Sequence, residues 1–445
     1  MTKPDLYAAR RRRLMEKMGP DAVAVFVAPP QRQRSHDTEY PYRPSSDIIY
    51  LCGFEEPEAV LVLAPGHEDG DFAMFVRNRD PEKETWDGRR AGPEGAKAHF
   101  GADAAYVIDD LDEELPRFLQ GRETLWYTLG NDATFDGKIT QWLNKLRFRR
   151  GAAPAAPRQI ADARDIVHEM RVHKEPAELD VMRTAARIAS DAHIAAMKAV
   201  RPGMHEYEIQ ALLEYSFRRR GAFAPAYTTI VGSGVNATIL HYTENRDPLG
   251  ASDILLIDAG CEYQYYAADI TRSYPVSGKF TPAQRDVYQA ILEAQKAAID
   301  DVQPGVAYNE LQDRTARRLS QALIDLGILT GSVDENLENE TYKQFYPHRV
   351  GHWLGSDVHD VGSYHDAEGN WRPLAPGMVV TVEPGLYFPE TAEIPDAFKG
   401  IGIRIEDDIL VTAQGNENLT ASCPKEVADL EAIIGTAAAD QGALS

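Results

Sequence analysis

The stretch His348–Asp360 reads HRVGHWLGSDVHD, and two β-rich runs follow it, VVTVEPGLY at Val379–Tyr387 and GIRIEDDILVT at Gly402–Thr412. His348 and His352 stand four apart beside glycines, and His359 comes seven residues later. Each β-rich run carries a carboxylate where an apolar residue is expected. Side chains alternate along a strand. Val380 and Val382 therefore point one way, with Thr381 and Glu383 the other. In the second run Ile401, Ile403 and Ile405 share one face, with Arg404 and Glu406 opposite. A buried carboxylate costs several kcal/mol unless something positive meets it. Two such carboxylates with histidines just upstream point to a metal as the positive partner.

Two further strands bear carboxylates. In DILLIDAG, Ile254, Leu256 and Asp258 share a face; in ADITRSYPV, Asp269, Thr271 and Ser273 do. The segment between them has the length of a hairpin, so Asp258 and Asp269 converge if the strands pair. Taken singly, Asp258 reads as a turn-former, Glu383-Pro384-Gly385 as a turn, and Arg404 with Glu406 as a buried ion pair. Taken together, Asp258, Asp269, His352, Glu383 and Glu406 make a ligand set. Oxygen-rich ligation with one imidazole suits hard or borderline divalent ions. Two such ions balance four carboxylates at +4 against −4. A metal pair about 3.5–4 Å apart bridges a hydroxide and polarises a carbonyl, so hydrolysis is the expected chemistry.

The same half of the chain repeats itself. RPGMHEYEIQ at Arg201–Gln210 returns as QPGVAYNELQ at Gln303–Gln312. Each decapeptide follows a long helical pattern. One opens at Lys174-Glu175-Pro176 and runs to about Val200; the other starts with Thr281 as N-cap and Pro282 in its first turn. The offset of 102 residues is far longer than a solenoid period. A duplicated α/β unit is the expectation, with a pocket at the junction of its halves.

Residues 1–150 alternate strand-like runs (DAVAVFVA, DIIYLCGF, AVLVLAP, DFAMFVR, TLWYTLG) with helical stretches such as LDEELPRFL, an α/β pattern. GAAPAAP at Gly151–Pro157 reads as a connection. The expected division is 1–172 and 173–445. Arg10–Arg13 reads as the exposed face of a first helix.

At 445 residues, 26% charged and with no apolar run of membrane length, the composition is that of a globular enzyme. A formal net charge of −22 argues against nucleic acid or an anionic membrane as partner. Three cysteines without CxxC spacing fit a reducing compartment. The N-terminus shows no apolar h-region, so no secretory signal is expected and a cytoplasmic location is.

HRVGHWLGSDVHD, LLIDAG, ADITRSYPV, TVEPGLY and GIRIEDD together resemble the blocks of the pita-bread metallopeptidases, which include aminopeptidase P, prolidase and methionine aminopeptidase. TEYPYRPSSDIIYLCGFEEPEAVLVL, YTTIVGSGVNATILHYTEN and LTASCPKE extend the resemblance to bacterial aminopeptidase P over nearly the whole chain. It implies an N-terminal creatinase-like α/β domain and a C-terminal pita-bread domain with an internal pseudo-two-fold repeat. It implies that Asp258, Asp269, His352, Glu383 and Glu406 hold two divalent ions, usually manganese with cobalt or zinc as alternatives, and that Asp269 and Glu406 bridge them. Glu383 is implied to shuttle a proton, and His241 and His359 to line the substrate site. His348 is implied as an auxiliary group, Arg404 to orient the carboxylates, and Tyr227 to face the substrate. Arg349 departs from the pattern, since many members have glycine there.

The implied activity is that of a Xaa-Pro aminopeptidase, acting on peptides with proline second. Prolidase and a non-catalytic peptide-binding protein on this fold are the rival readings. The retained ligand set disfavours the second and also creatine amidinohydrolase. Bacterial relatives are implied to be tetramers whose N-terminal domains reach a neighbour's site, and a homo-oligomer, dimer or tetramer, is expected here. Asp80–Arg90 (DPEKETWDGRR) is polar except for Trp86, which makes Trp86 the candidate for such a contact.

Overall fold

The computed structural model describes residues 3–148 and 155–437. The chain divides into two compact units, Met1–Arg171 and Val172–Ser445. Residues 151–154 of the expected connection lie outside the described residues.

In the first unit the apolar run Ala22–Val27 takes a central place in a six-stranded sheet. It pairs antiparallel with Val60–Leu63 and parallel with Thr124–Trp126. The order across the sheet is Ala104–Val107, Phe72–Val76, Val60–Leu63, Ala22–Val27, Thr124–Trp126, Gln159–Ala161. Alternation divides these strands between two cores. Ala24, Leu61 and Met74 pack with Leu14 and Leu51 on one face. Val25, Val62 and Phe75 pack with Leu115 and Leu143 on the other. Burial on both faces is why these strands read as unbroken apolar runs.

Three sequence expectations change here. DIIYLCGF is not a strand: Ser46–Cys52 is a helix, closed by Gly53 N–H bonds to the Ile48 and Ile49 carbonyls. Nearly every residue of it is buried, so its apolar run carries no periodicity to separate helix from strand. Arg10 and Arg11 are not an exposed face; they are 2% and 6% exposed. Arg10 donates to the Tyr50 carbonyl and lies over the Tyr50 ring, while Arg11 donates to the Leu51 carbonyl and lies over Phe72. Those acceptors close the C-terminal end of the helix Ser46–Cys52, where a cation is favoured. Finally, the polar segment that carries Trp86, for which the sequence suggests a loop, forms a short helix at Pro81–Asp87, because Asp80 accepts from the Glu82 and Lys83 amides and Pro81 starts the first turn.

The second unit bears the expected long helices at Pro176–Ala199 and Pro282–Asp301. Thr281 Oγ1 accepts from Gln284 N, and the Gln284 side chain accepts from Thr281 N, a reciprocal cap. The repeat is visible in its hydrogen bonds. Gly203 and Gly305 donate to Leu249 and Leu374 carbonyls, and those two leucines donate back to Met204 and Val306. His205 and Ala307 bridge Pro248 and Pro373 in the same way. Helices Glu206–Arg219 and Tyr308–Asp325 follow the two hooks.

Each half then contributes a small antiparallel sheet. Ile254–Asp258 lies between Ile230–Ser233 and Thr271–Pro275. Asp407–Thr412 lies between Val379–Val382 and Gly415–Asn418. A two-stranded ribbon, Gly385–Phe388 with Ile401–Arg404, continues from the second. Glu383 and Glu406 therefore do not sit inside straight strands. Each occupies the bend where a strand leaves one sheet and enters the other. Pro384 has no N–H to extend the ladder there, and its carbonyl accepts from Ile405 N across the bend.

Candidate metal centre

Two close backbone approaches assemble the site. A Cβ on Gly260 would lie 1.7 Å from the Ala268 carbonyl oxygen. Glycine alone lets the segment carrying Asp269 cross beside Asp258, which already pairs with Thr271 in the sheet. A Cβ on Gly351 would lie 1.9 Å from the Thr381 carbonyl oxygen. That contact lays the histidine segment on the strand leading to Glu383, with Thr381 N donating to the His352 carbonyl and Glu383 N to that of Val350.

The five expected ligands line one cavity of about 820 Å3. Asp269, His352 and Glu406 each present a donor atom within 4.8 Å of the others. His352 Nε2 lies 3.5 Å from Asp269 Oδ2 and 3.5 Å from Glu383 Oε1. Its Nδ1 sits 3.0 Å from the Trp353 carbonyl. A carbonyl only accepts, so Nδ1 carries the proton and Nε2 turns a lone pair toward the carboxylates.

The carboxylates crowd one another. Asp269 and Glu406 are 5% and 1% exposed. Burial first, and then Asp258, Asp408 and Glu383, pushes Asp269 well above the usual carboxylate range. Burial, then Asp269, Glu383 and Asp258, does the same to Glu406. Such a set is relieved by cations at its centre. Oxygen donors with one imidazole match a divalent ion, so the residues fit a bound metal.

Neutral and cationic groups hold these ligands from behind. Arg404, 3% exposed, donates to Asp258 Oδ2 at 2.7 Å, to Thr271 Oγ1 at 3.1 Å and to the Tyr387 hydroxyl at 2.7 Å. Thr271 Oγ1 in turn donates to Glu406 Oε2 at 2.8 Å. The Tyr387 hydroxyl lies 2.8 Å from His348 Nε2, and His348 Nδ1 lies 2.8 Å from the Arg349 carbonyl. The His348 proton is therefore on Nδ1, and Nε2 accepts from Tyr387. Burial keeps the His348 pKa below the usual histidine range. Below the site, Arg272 binds the Glu406 carbonyl and pairs with Asp407 at 2.7 Å, both side chains fully buried.

Tyr227 lines the cavity, and its hydroxyl stands 2.5 Å from Asp258 Oδ1 and from Asp269 Oδ1. Burial, then those two carboxylates, raises its pKa well above 10, so it stays a donor. His241 and His359 line the same cavity, and the His359 ring meets that of His352 edge to face at 4.3 Å. Trp86 belongs to the first unit and is 84% exposed.

Several contributors carried no signal of their own. Tyr387 and Thr381 sit inside quoted motifs, but their roles depend on partners remote in sequence. Thr381 Oγ1 accepts from His352 N and donates to Glu383 Oε1 at 3.2 Å. Asp408 accepts from Asp269 N and is 1% exposed.

A duplicated unit placing oxygen and imidazole donors round one point defines a metallohydrolase centre. Comparison with known proteins narrows the class. Residues 180–413 match the model of metallopeptidase family M24, and residues 7–126 match the aminopeptidase P N-terminal domain. The Xaa-Pro aminopeptidase of Escherichia coli is 44% identical across 96% of this chain and 97% of its own. Aminopeptidase PepP of Pseudomonas aeruginosa superposes with a TM-score of 0.94 at 47% identity, covering 97% of this chain and 98% of that one. Zinc-substituted E. coli aminopeptidase P in complex with product gives 0.94 at 44% identity, with the same coverage. The chain belongs to metallopeptidase family M24, in the branch that carries the aminopeptidase P N-terminal domain, and its second unit has the pita-bread fold.

Proposed function

We propose that this chain is a metal-dependent Xaa-Pro aminopeptidase, releasing the N-terminal residue of peptides whose second residue is proline. The observation that carries the reading is the convergence of Asp269, His352 and Glu406 on one point, with Glu383 and Asp258 in the same cavity. In this reading Asp258, Asp269, His352, Glu383 and Glu406 would hold two divalent ions, and Asp269 and Glu406 would contribute to both. Manganese is the preferred ion, with cobalt or zinc as substitutes. When bound, the ions supply an activated water and polarise the scissile carbonyl.

The protein's own groups do the rest. Glu383 takes the proton released by the attacking water and passes it to the leaving proline nitrogen. Arg404 and Tyr227 fix the carboxylate orientations through the bonds described. Burial, then His352, holds His359 below the usual histidine range, so it meets substrate as a neutral N–H donor. With His241 it stabilises the oxygen that gains charge during attack. His348, bonded to Tyr387, steadies the Arg404 end of that network. Proline's imide bond lacks an N–H and fixes φ, which favours a dedicated enzyme for it.

Residues 1–172 form the N-terminal domain and 173–445 the catalytic one in this assignment. The assembly is a cytoplasmic homo-oligomer, dimer or tetramer, in which Trp86 reaches a neighbour's cleft. The deciding experiment strips the metal with a chelator, reloads single ions, and compares Ala-Pro-Leu, Ala-Ala-Leu and the dipeptide Ala-Pro. Metal-restored cleavage of Ala-Pro-Leu far above both others supports the reading. Cleavage confined to Ala-Pro, or equal cleavage of Ala-Ala-Leu, overturns it.

A further inference from the structure

The catalytic cavity has a charge asymmetry. Asp258, Asp269, Glu383 and Glu406 lie along its lining, and two arginines, Arg349 and Arg404, share that lining. Arg404 is buried and committed to Asp258, Thr271 and Tyr387. Arg349 is different in each respect. Its side chain is exposed, and among the described residues no carboxylate pairs with its guanidinium. It lines both the catalytic cavity and a second one of about 320 Å3 beside it. The group therefore marks where one cavity gives onto the other.

The guanidinium is nevertheless held in place. Its central carbon lies 5.4 Å from the centre of the Trp371 ring. Trp371 belongs to an aromatic stack, with the His365 ring also against it at 4.2 Å. It stacks on Tyr308 at 6.4 Å, Tyr308 meets Tyr364 at 4.5 Å, and Tyr364 stacks on Trp353 at 5.1 Å. Tyr308 and Trp353 are 3% and 1% exposed. A cation seated on a ring face of a packed aromatic column gives up less freedom on binding than one on a free side chain. Its outer edge keeps the paired N–H groups that match a carboxylate.

We propose that Arg349 is a specificity-determining residue that binds a carboxylate on the leaving side of the scissile bond, and so tunes this chain toward short or acidic peptides. The inference rests on the aminopeptidase reading and adds to it a substrate class. The aminopeptidase reading orients the peptide. Its first peptide bond lies at the ligand residues, whose charge the metals balance, and the residues after proline run outward toward the arginine. An extended tripeptide spans about 10 Å, so its third residue leaves the metal end for the outer part of the cavity. A carboxylate at that residue has two sources: the C-terminus of a tripeptide, or an Asp or Glu side chain. A protein of net charge −22 repels such anions at long range. One unpaired guanidinium at the rim reverses that locally.

The test uses the metal-loaded full-length enzyme, the Arg349→Gln and Arg349→Lys variants, and two matched pairs of peptides. One pair is Ala-Pro-Leu as free acid and as amide; the other is Ala-Pro-Glu-amide and Ala-Pro-Gln-amide. The wild type is expected to prefer the anionic member of at least one pair by about 10-fold in kcat/KM, carried by KM with kcat nearly unchanged. Arg349→Gln brings the ratio below twofold, and Arg349→Lys retains part of it. The pair that responds identifies the source of the carboxylate. Product inhibition by Pro-Leu against Pro-Leu-amide gives the same ratio as a binding measurement, independent of turnover. Equal ratios in wild type and Arg349→Gln for both pairs and for both products overturn the proposal. Failure of the underlying reading looks different: the wild type then cleaves Ala-Pro-Leu no better than Ala-Ala-Leu, or cleaves only the dipeptide Ala-Pro.

Discussion

Lys174 Nζ lies 3.0 Å from Asp360 Oδ2, and each of the two side chains is only 1% exposed. The pair joins the residue before the N-cap Glu175 of the helix Pro176–Ala199 to the residue just after His359. Gly355 packs into it, since a Cβ there would approach Asp360 Oδ2 to 2.1 Å. Asp360 N also donates to the Trp353 carbonyl, closing the loop between His352 and His359. Removing one partner of a buried pair leaves the other uncompensated, which costs about 3–5 kcal/mol. Lys174→Met should therefore lower the denaturant midpoint and reduce kcat, with the metals retained. Wild-type stability and turnover together would show that the pair does not hold the loop.

Asp269→Ala and Glu406→Ala each remove a carboxylate from the point where three donors converge. Three carboxylates round two divalent ions no longer balance charge. Each variant should bind less than the full metal complement, measured by elemental analysis after dialysis, and lose metal-dependent hydrolysis. Two ions per chain with full activity in either variant would remove the assignment.

His359 touches the His352 ring yet is itself exposed. His359→Ala should keep its metals and lower kcat and kcat/KM together by about 10²–10³-fold, the scale of one lost oxyanion donor. A lower melting temperature with near-normal turnover of the folded fraction would instead mark the residue as structural.

The parts of the site were unequally legible in the sequence. Asp258 and Asp269 were legible because strand alternation and a hairpin-length link suffice to bring them together. The helix starts at Pro176 and Pro282 were legible because capping is local. The setting of Glu383 and Glu406 was not. Alternation assigns a side to each residue, but it does not show that the ladder changes sheets at Pro384 and Ile405. Burial of Arg10 and Arg11 was equally hidden, since their acceptors are the Tyr50 and Leu51 carbonyls, forty residues on. Tyr387 and Thr381 lay inside the quoted motifs, but only three-dimensional contacts give them work to do.

The first unit has its own acid-sensitive joint. Asp47, in the helix Ser46–Cys52, accepts from Arg171 Nη1 at 2.8 Å and lies 3.3 Å from His168 Nε2. Burial alone would raise its carboxyl, but the His168 hydrogen bond and the Arg171 charge outweigh it and hold the pKa below the usual value. A depressed folded-state pKa adds stability that is complete above the unfolded value, about 3.9, and fades as pH falls through the lower folded one. Asp47→Asn should thus be less stable than wild type at pH 7, with the difference shrinking below about pH 4. Denaturant titrations at both pH values read this, and a gap that widens on acidification would contradict it.

Trp86 is the most exposed of the large apolar side chains described, at 84%. It sits on a seven-residue helix whose other positions are polar or charged apart from Pro81, and none of them is buried. A tryptophan standing clear of its own chain loses apolar burial unless a partner covers it, and aromatic anchors concentrate at interface centres. In an oligomer that brings this helix to a neighbouring subunit's cleft, the indole limits how long a peptide can enter. Trp86→Ala should then change KM for tripeptides and longer substrates while leaving metal content unchanged. Sedimentation of the wild type and the variant supplies the second reading. An active wild-type monomer, or an unaltered length preference in the variant, would discard the contact and leave Trp86 as a surface residue.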